Sequence, residues 1–202
     1  MTRKALISML LISVCCIAAG KNRYPRITFG AEWSYICIFH SSFHYNYFTP
    51  EGYRMNEEDN FIGLHSNGEV LLHVGYNLNE HWNISLLSGL SGLSNIHNTV
   101  PVSIRATRYW GSDPDKDRFF AFADAGSGIS VKKEMQEILA GKLGAGYRIS
   151  LSRSTKLDFN VCARCSYTHP QIYFDHEQIS LRWTNRNDAI LLSVSAGIGL
   201  TF

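Results

Sequence analysis

His40 and His44 fall on one face of an alternating stretch that also carries Ser42 and Glu32. A histidine that takes a proton from a serine hydroxyl, oriented by a carboxylate, is the apparatus of ester hydrolysis. The spacing argues against it. Glu32 and His40 are eight residues apart, roughly 26 Å at the rise of an extended strand, so one strand cannot bring them together. His169 and His176 with Asp175 and Glu177 make a looser group of metal-ligand types. The fixed spacing of a ligand set is absent, and solvated loop residues explain the group better. Cys162 and Cys165 stand as C-x-x-C within KLDFNVCARCSY. That stretch alternates, so the two thiols point to opposite faces and neither a redox nor a metal pair is expected. With Cys37 they make an odd set, which is no disulfide framework. The expectation is no catalytic residue, no cofactor and no metal.

The stretches that must position these residues have a period of two. In the last, Ala189 to Phe202, Ile190, Leu192, Val194, Ala196, Ile198, Leu200 and Phe202 share one face. Ser193, Ser195, Gly197, Gly199 and Thr201 share the other, with Leu191 as the exception. Such a strand, rising about 3.3 Å per residue and tilted roughly 40°, covers roughly 33 Å, more than the ~25 Å apolar band of an outer membrane. It ends on an aromatic residue with no polar tail after it, and reads as the closing strand of a membrane barrel.

The chain has 202 residues, 45% of them hydrophobic, and a net charge of +2. Beyond the N-terminus it has no run of about 20 apolar residues, which excludes a helical membrane protein but not a barrel. No basic patch points to nucleic acid. Residues 1–20 begin with Arg3 and Lys4, continue through an apolar core from Ala5 to Ile17, and close on Ala18, Ala19 and Gly20. This is the pattern of a cleaved signal peptide. Val14 before Cys15 is too bulky for a lipoprotein site. Residues 21–25 read as a short N-terminal segment and 26–202 as one barrel domain.

Eight strands are expected. The first, Arg26 to Tyr47, has Ile27, Phe29, Ala31, Trp33, Tyr35, Cys37, Phe39, Phe43, Tyr45 and Tyr47 outward, with Glu32, Ser34, His40 and His44 inward. Thr49 to Asn60 reads as a surface loop within a long 48–66 connection. Strands follow at Asn67–Leu78, Trp82–Ser94, Val100–Tyr109, Arg118–Val131, Lys142–Leu151 and from Leu157 to Tyr167. Lys132 to Ala140 suits a helical turn, and Asn95–Thr99 a loop. GSDPDKD, Gly111 to Asp117, is a dense run of turn residues. Long and short connections mostly alternate, as they do between the two sides of an outer membrane.

Eight strands enclose a space that side chains fill. The inward list holds Glu32, Asp124 and Asp158 with Arg105, Lys142, Arg148 and Arg164. Buried charges of both signs are tolerable when paired, so a lumen salt-bridge network is expected, with Glu32 or Asp124 meeting Arg148 or Arg105. Trp33, Tyr45, Tyr47, Trp82, Tyr109, Trp110, Tyr147 and Tyr167 suit interfacial girdles. In the last loop, Gln171–Phe174 and Ile179–Trp183 could prolong strands seven and eight as a protruding hairpin. Ile172, Tyr173, Phe174 and Trp183 are its candidate interaction residues.

The segments VGYNLNEHWNISL, TVPVSIRATRYW, FADAG at Phe122–Gly126, GAGYRISLS and the terminal GIGLTF resemble those of the outer-membrane β-barrel domain proteins frequent in Bacteroidota, akin to OmpA/OmpX-type eight-stranded barrels. The resemblance covers roughly Arg26 to Phe202. It implies an all-β, antiparallel up-and-down transmembrane barrel in the cell outer membrane, lipid around it, and insertion by the barrel assembly machinery through Ile198, Leu200 and Phe202. It implies no active site. A monomer is expected, with the loops as the place for a surface protein or host ligand. Two other readings compete. One is a soluble secreted or periplasmic lipocalin-like barrel, whose apolar face would turn inward around a small apolar ligand. The other is an outer-membrane lipid-modifying hydrolase, weakened by the Glu32–His40 spacing.

Overall fold

The computed structural model describes residues 25–94, 97–111, 113–130, 135–170, 172–174 and 177–202. The expected signal peptide lies outside them. Eight long strands form the wall: β1 (Ile27–Phe48), β2 (Arg54–Asn77), β3 (Trp82–Ser94), β4 (His97–Tyr109), β5 (Arg118–Ser130), β6 (Met135–Ser150), β7 (Lys156–Pro170) and, after three small elements, β10 (Thr184–Thr201). All neighbours are antiparallel and the sheet closes between β1 and β10. Closure requires a stagger. The pairing that leaves Ala31 for Leu72 passes through Ser88, Val102, Ser127, Leu139, Tyr167 and Ile190 and returns to β1 at Ser42. The offset between Ala31 and Ser42 is the shear that tilted strands need to close a barrel.

Alternation sorts the side chains. Phe29, Trp33, Leu72, Val74, Leu86, Ile104, Phe119, Leu143, Val161 and Ile198 are exposed on the outer face. Their neighbours in sequence are buried and mostly polar. In water this would be an inside-out protein, because an exposed apolar area this large is unfavourable. In a bilayer it is the stable arrangement: lipid meets the apolar face, and the sheet closes on itself between β1 and β10. The fold is an all-β, eight-stranded antiparallel up-and-down transmembrane barrel. A soluble lipocalin-like barrel needs the reverse sorting, so that reading is overturned.

Trp82 and Trp110 mark the end where β1 begins and β10 ends. Between them the guanidinium of Arg108 sits 5.6 Å from one ring and 5.7 Å from the other. A long cation held over interfacial rings keeps its charge at the membrane border.

At the opposite end the structure departs from expectation. Phe39 has no partner between Ile38 and His40 on either neighbouring strand, so β1 bulges there. A bulge shifts the side-chain phase by one. Phe43, Tyr45 and Tyr47 therefore turn toward the barrel axis, and Tyr47 is buried; they are not girdle residues. Nor is Tyr109, which is buried in the lumen. The expected 48–66 loop is mostly strand, since β2 starts at Arg54. The hairpin turns over residues 49–53, where Gly52 takes a φ of 88° that side chains disfavour. Lys132–Ala140 holds no helical turn among the described residues, because β6 begins at Met135 and pairs Ile138 with Thr168. The 95–99 loop is shorter than expected, since β4 begins at His97. The last loop does not prolong β7 and β10 as one hairpin. It folds into a separate two-stranded sheet, β8 (Tyr173–Phe174) with β9 (Glu177–Gln178), followed by the 3-10 turn η1 (Leu181–Trp183).

Candidate functional site

The lumen is filled in layers. Nearest the end where β1 begins, Arg118 places its guanidinium 4.0 Å from the Tyr109 ring and donates to the Glu80 carbonyl at 2.8 Å. Arg148 lies over the same ring at 4.6 Å and donates twice to Asp158, through Nε to Oδ1 and Nη2 to Oδ2, each at 2.6 Å. The Thr201 hydroxyl donates to Asp158 at 3.1 Å. The next layer is centred on Arg105. It donates to Asp124 at 2.8 and 3.0 Å and to Glu32 at 2.6 and 3.4 Å, and stacks 4.2 Å from the Phe122 ring. One guanidinium thus bridges two carboxylates, which suits its forked donor geometry.

Above it, Glu69 accepts from Lys142 and, at 3.2 Å, from Arg164, which also donates to Ser91 and Ser166 at 3.0 Å each. Glu69 is 2% exposed and is the lumen residue that the strand reading passed over. Glu32, Glu69, Asp124 and Asp158 face Arg105, Lys142, Arg148 and Arg164, so the buried charges of this set cancel. Arg148 meets neither Glu32 nor Asp124, because the register of the β6–β7 hairpin sets it directly opposite Asp158. Ile36, Ile38, Ile138 and Leu191, with Phe43 against them, form an apolar layer over the charges.

Among the sequence candidates for hydrolysis, Glu32 is committed to Arg105 inside the lumen. His40 and Ser42 stand beyond the bulge, on the opposite side of the wall. The structure does not bring the three together. His169 has its Nδ1 3.3 Å from an Asp188 oxygen. Asp175 and His176 lie outside the described residues, and no group of metal-ligating side chains forms among the described ones. Cys162 is buried beside Ser195, while Cys165 is exposed on the outer face.

The open end carries the remaining surface. Beyond the bulge, β1 is flanked by β10 from Leu192 to Thr184 and by β2 from Ile62 to Arg54. These three strands form an arm above the apolar band. Ile172 and Ile179 of the last loop are buried against Tyr47, with Tyr45, Met55 and Phe174 around them. Burial, with Asp59 and Glu57 close by, pushes the Tyr45 hydroxyl up to about 12. Of the candidate interaction residues, Ile172 and Phe174 are therefore anchors, whereas Tyr173 and Trp183 are exposed. Asp188 ties down the base of the loop. It accepts from the Tyr167 hydroxyl at 2.6 Å and from Arg186 Nε at 2.6 Å.

A transmembrane barrel with a packed, ion-paired lumen and a raised arm at one end is the class of protein that fold and site define. Neither a family model nor a curated protein sequence matches the chain. Solved structures do. The crystal structure of the outer membrane protein OprG from Pseudomonas aeruginosa superposes with a TM-score of 0.56 at 9% identity, over 87% of this chain and 95% of that one. The solid-state NMR structure of the outer membrane protein AlkL in lipid bilayers superposes with a TM-score of 0.52 at 12% identity, over 91% and 94%. At such identities the likeness is one of fold.

Proposed function

We propose that this protein is an integral outer-membrane barrel, exported by the leader at residues 1–20, that catalyses no reaction and acts through its outer end, as a structural wall element and a surface for interaction. The observation that carries this reading is the filled lumen. Four carboxylates matched by four cations, under an apolar layer, leave no continuous aqueous route, so contact with other molecules falls to the arm and the last loop. The apolar band and the likeness to two outer membrane proteins support the location. Insertion by the barrel assembly machinery, with Ile198, Leu200 and Phe202 on the lipid face of the closing strand as its recognition feature, is part of the same proposal, as is a monomeric state.

Membrane fractionation combined with gel mobility before and after heating tests it. The expected result is recovery with the outer membrane and a mobility that changes on boiling. Recovery as a soluble periplasmic protein would overturn the reading.

A further inference from the structure

β2 carries an edge without a partner. It pairs with β1 from Arg54 to Tyr76, but with β3 only from Glu69, opposite Ser91, to Asn77. Among the described residues no strand pairs with the other side of Arg54–Gly68. At about 3.3 Å per residue that is an edge of roughly 45 Å. Unpaired N–H and C=O groups in a row are a template for an added strand.

The side chains along this edge have a pattern. Register places Glu57 beside Tyr45 and Asp59 beside Phe43 on the side that faces the barrel mouth, with Glu58 on the opposite side. All three acids are exposed. None of them has an ion-pair partner among the described residues, although the lumen carboxylates Glu32, Glu69, Asp124 and Asp158 are all paired. Two carboxylates two residues apart, each with an aromatic ring across the strand pair, match two cationic side chains on one face of an extended chain. A cation beside a ring and a carboxylate is favoured by both. Farther down, Phe61 folds its ring over Gly63, where a Cβ would lie 2.3 Å from it. Ile62 and Leu64 are 83% and 78% exposed, on the outer side near the top of the apolar band.

We propose that the unpaired edge of β2 over Arg54–Asn60 receives an extended basic segment of a partner protein as an added strand, with alternate Lys or Arg side chains set against Glu57 and Asp59. A second copy of this chain is the poorer occupant, because it would bring another uncompensated acidic run. Charge at an edge also serves to prevent pairing, and the two roles make opposite predictions for a basic strand. The inference rests on the outer placement of the arm proposed above.

The test uses the full mature chain, refolded in detergent micelles, with the heat-dependent mobility shift as the check on folding. The probe is a synthetic peptide of about ten residues alternating Lys and Val, a length suited to strand addition. Its controls are the same peptide N-methylated at alternate residues and an alternating Glu and Val peptide. The expected result is salt-sensitive binding of the first peptide alone. The double substitution Glu57→Gln with Asp59→Asn, which keeps side-chain shape, should weaken it roughly tenfold or more. Equal binding of the N-methylated peptide would reduce the contact to bulk charge and overturn the added strand. So would an unchanged affinity of the double variant, no binding at all, or dimerisation through the same edge in place of peptide binding. Each of these would leave the fractionation result untouched, so the two readings fail separately.

Discussion

Glu69 of β2 and Arg164 of β7 meet across the lumen at 3.2 Å, although two strands stand between them along the wall. Lys142 shares the same carboxylate. Removing Glu69 would therefore strand two cations inside the barrel, and an uncompensated buried charge costs about 3–5 kcal/mol. Glu69→Leu is expected to lower unfolding stability in urea by that order, read by the heat-dependent mobility shift. Adding Lys142→Met and Arg164→Met should recover most of the loss. A single variant as stable as the parent would show that the lumen admits water to the pair.

Much of this network was legible in the chain. Lipid on one side forces strict alternation, so Glu32, Arg105, Asp124, Lys142, Arg148, Asp158 and Arg164 each declared an inward face. Glu69 escaped because it adjoins Asn67 and Gly68, where a turn and a strand read alike, yet its phase with Leu71 and His73 was there to be used. Tyr109 likewise shares the phase of Arg105 and Thr107. Arg105 with Asp124 and Arg148 with Asp158 stand opposite each other within a hairpin, whereas the meetings of Glu32 with Arg105 and of Glu69 with Arg164 depend on shear, a property of all eight strands that no single stretch encodes. The Phe39 bulge left no trace in composition. Phe43, Tyr45 and Tyr47 alternate whichever way they point. The arm read as a loop because both its faces are wet, and alternation disappears where no side is lipid.

Phe29 and Phe202 close the seam between the first and last strands. They exchange backbone hydrogen bonds of 3.1 and 2.8 Å, and their rings stack at 5.6 Å. A stacked pair adds about 0.5–1.5 kcal/mol. Phe29→Ala and Phe202→Ala should lower the stability of the folded barrel equally if stacking is the whole of it. Recognition of the closing strand during assembly concerns Phe202 alone. Phe202→Ala is therefore expected to reduce the folded amount in membranes several-fold more than Phe29→Ala, measured by the mobility shift in isolated membranes. Equal levels for the two variants would remove the assembly role.

Leu191 belongs to the apolar layer with Ile36, Ile38 and Ile138. Shortening Leu191 and Ile138 to alanine should cost roughly 2–5 kcal/mol each through lost contacts and cavity. The charge pairs beneath would still fill the lumen. Both the parent and the double variant are expected to give no steady current in planar bilayers. A large stable conductance from the parent would refute the closed lumen.

Asp188 joins the top of β10 to the top of β7. The hydrogen bond from Tyr167, and after it that from Arg186, holds the carboxyl below its usual range. A depressed folded value means stability that is present above the unfolded pKa and is lost as pH falls through the folded one. The last loop should thus be held at neutral pH and released only as pH falls below the ordinary carboxylate range. Asp188→Asn should show the same weak hold at both ends of that range. Hydrogen exchange of the amides from Thr184 to Ala189 measures it. Equal protection of the parent at neutral pH and in acid would show that the loop is anchored by the Ile172–Ile179–Tyr47 cluster and not by the carboxylate.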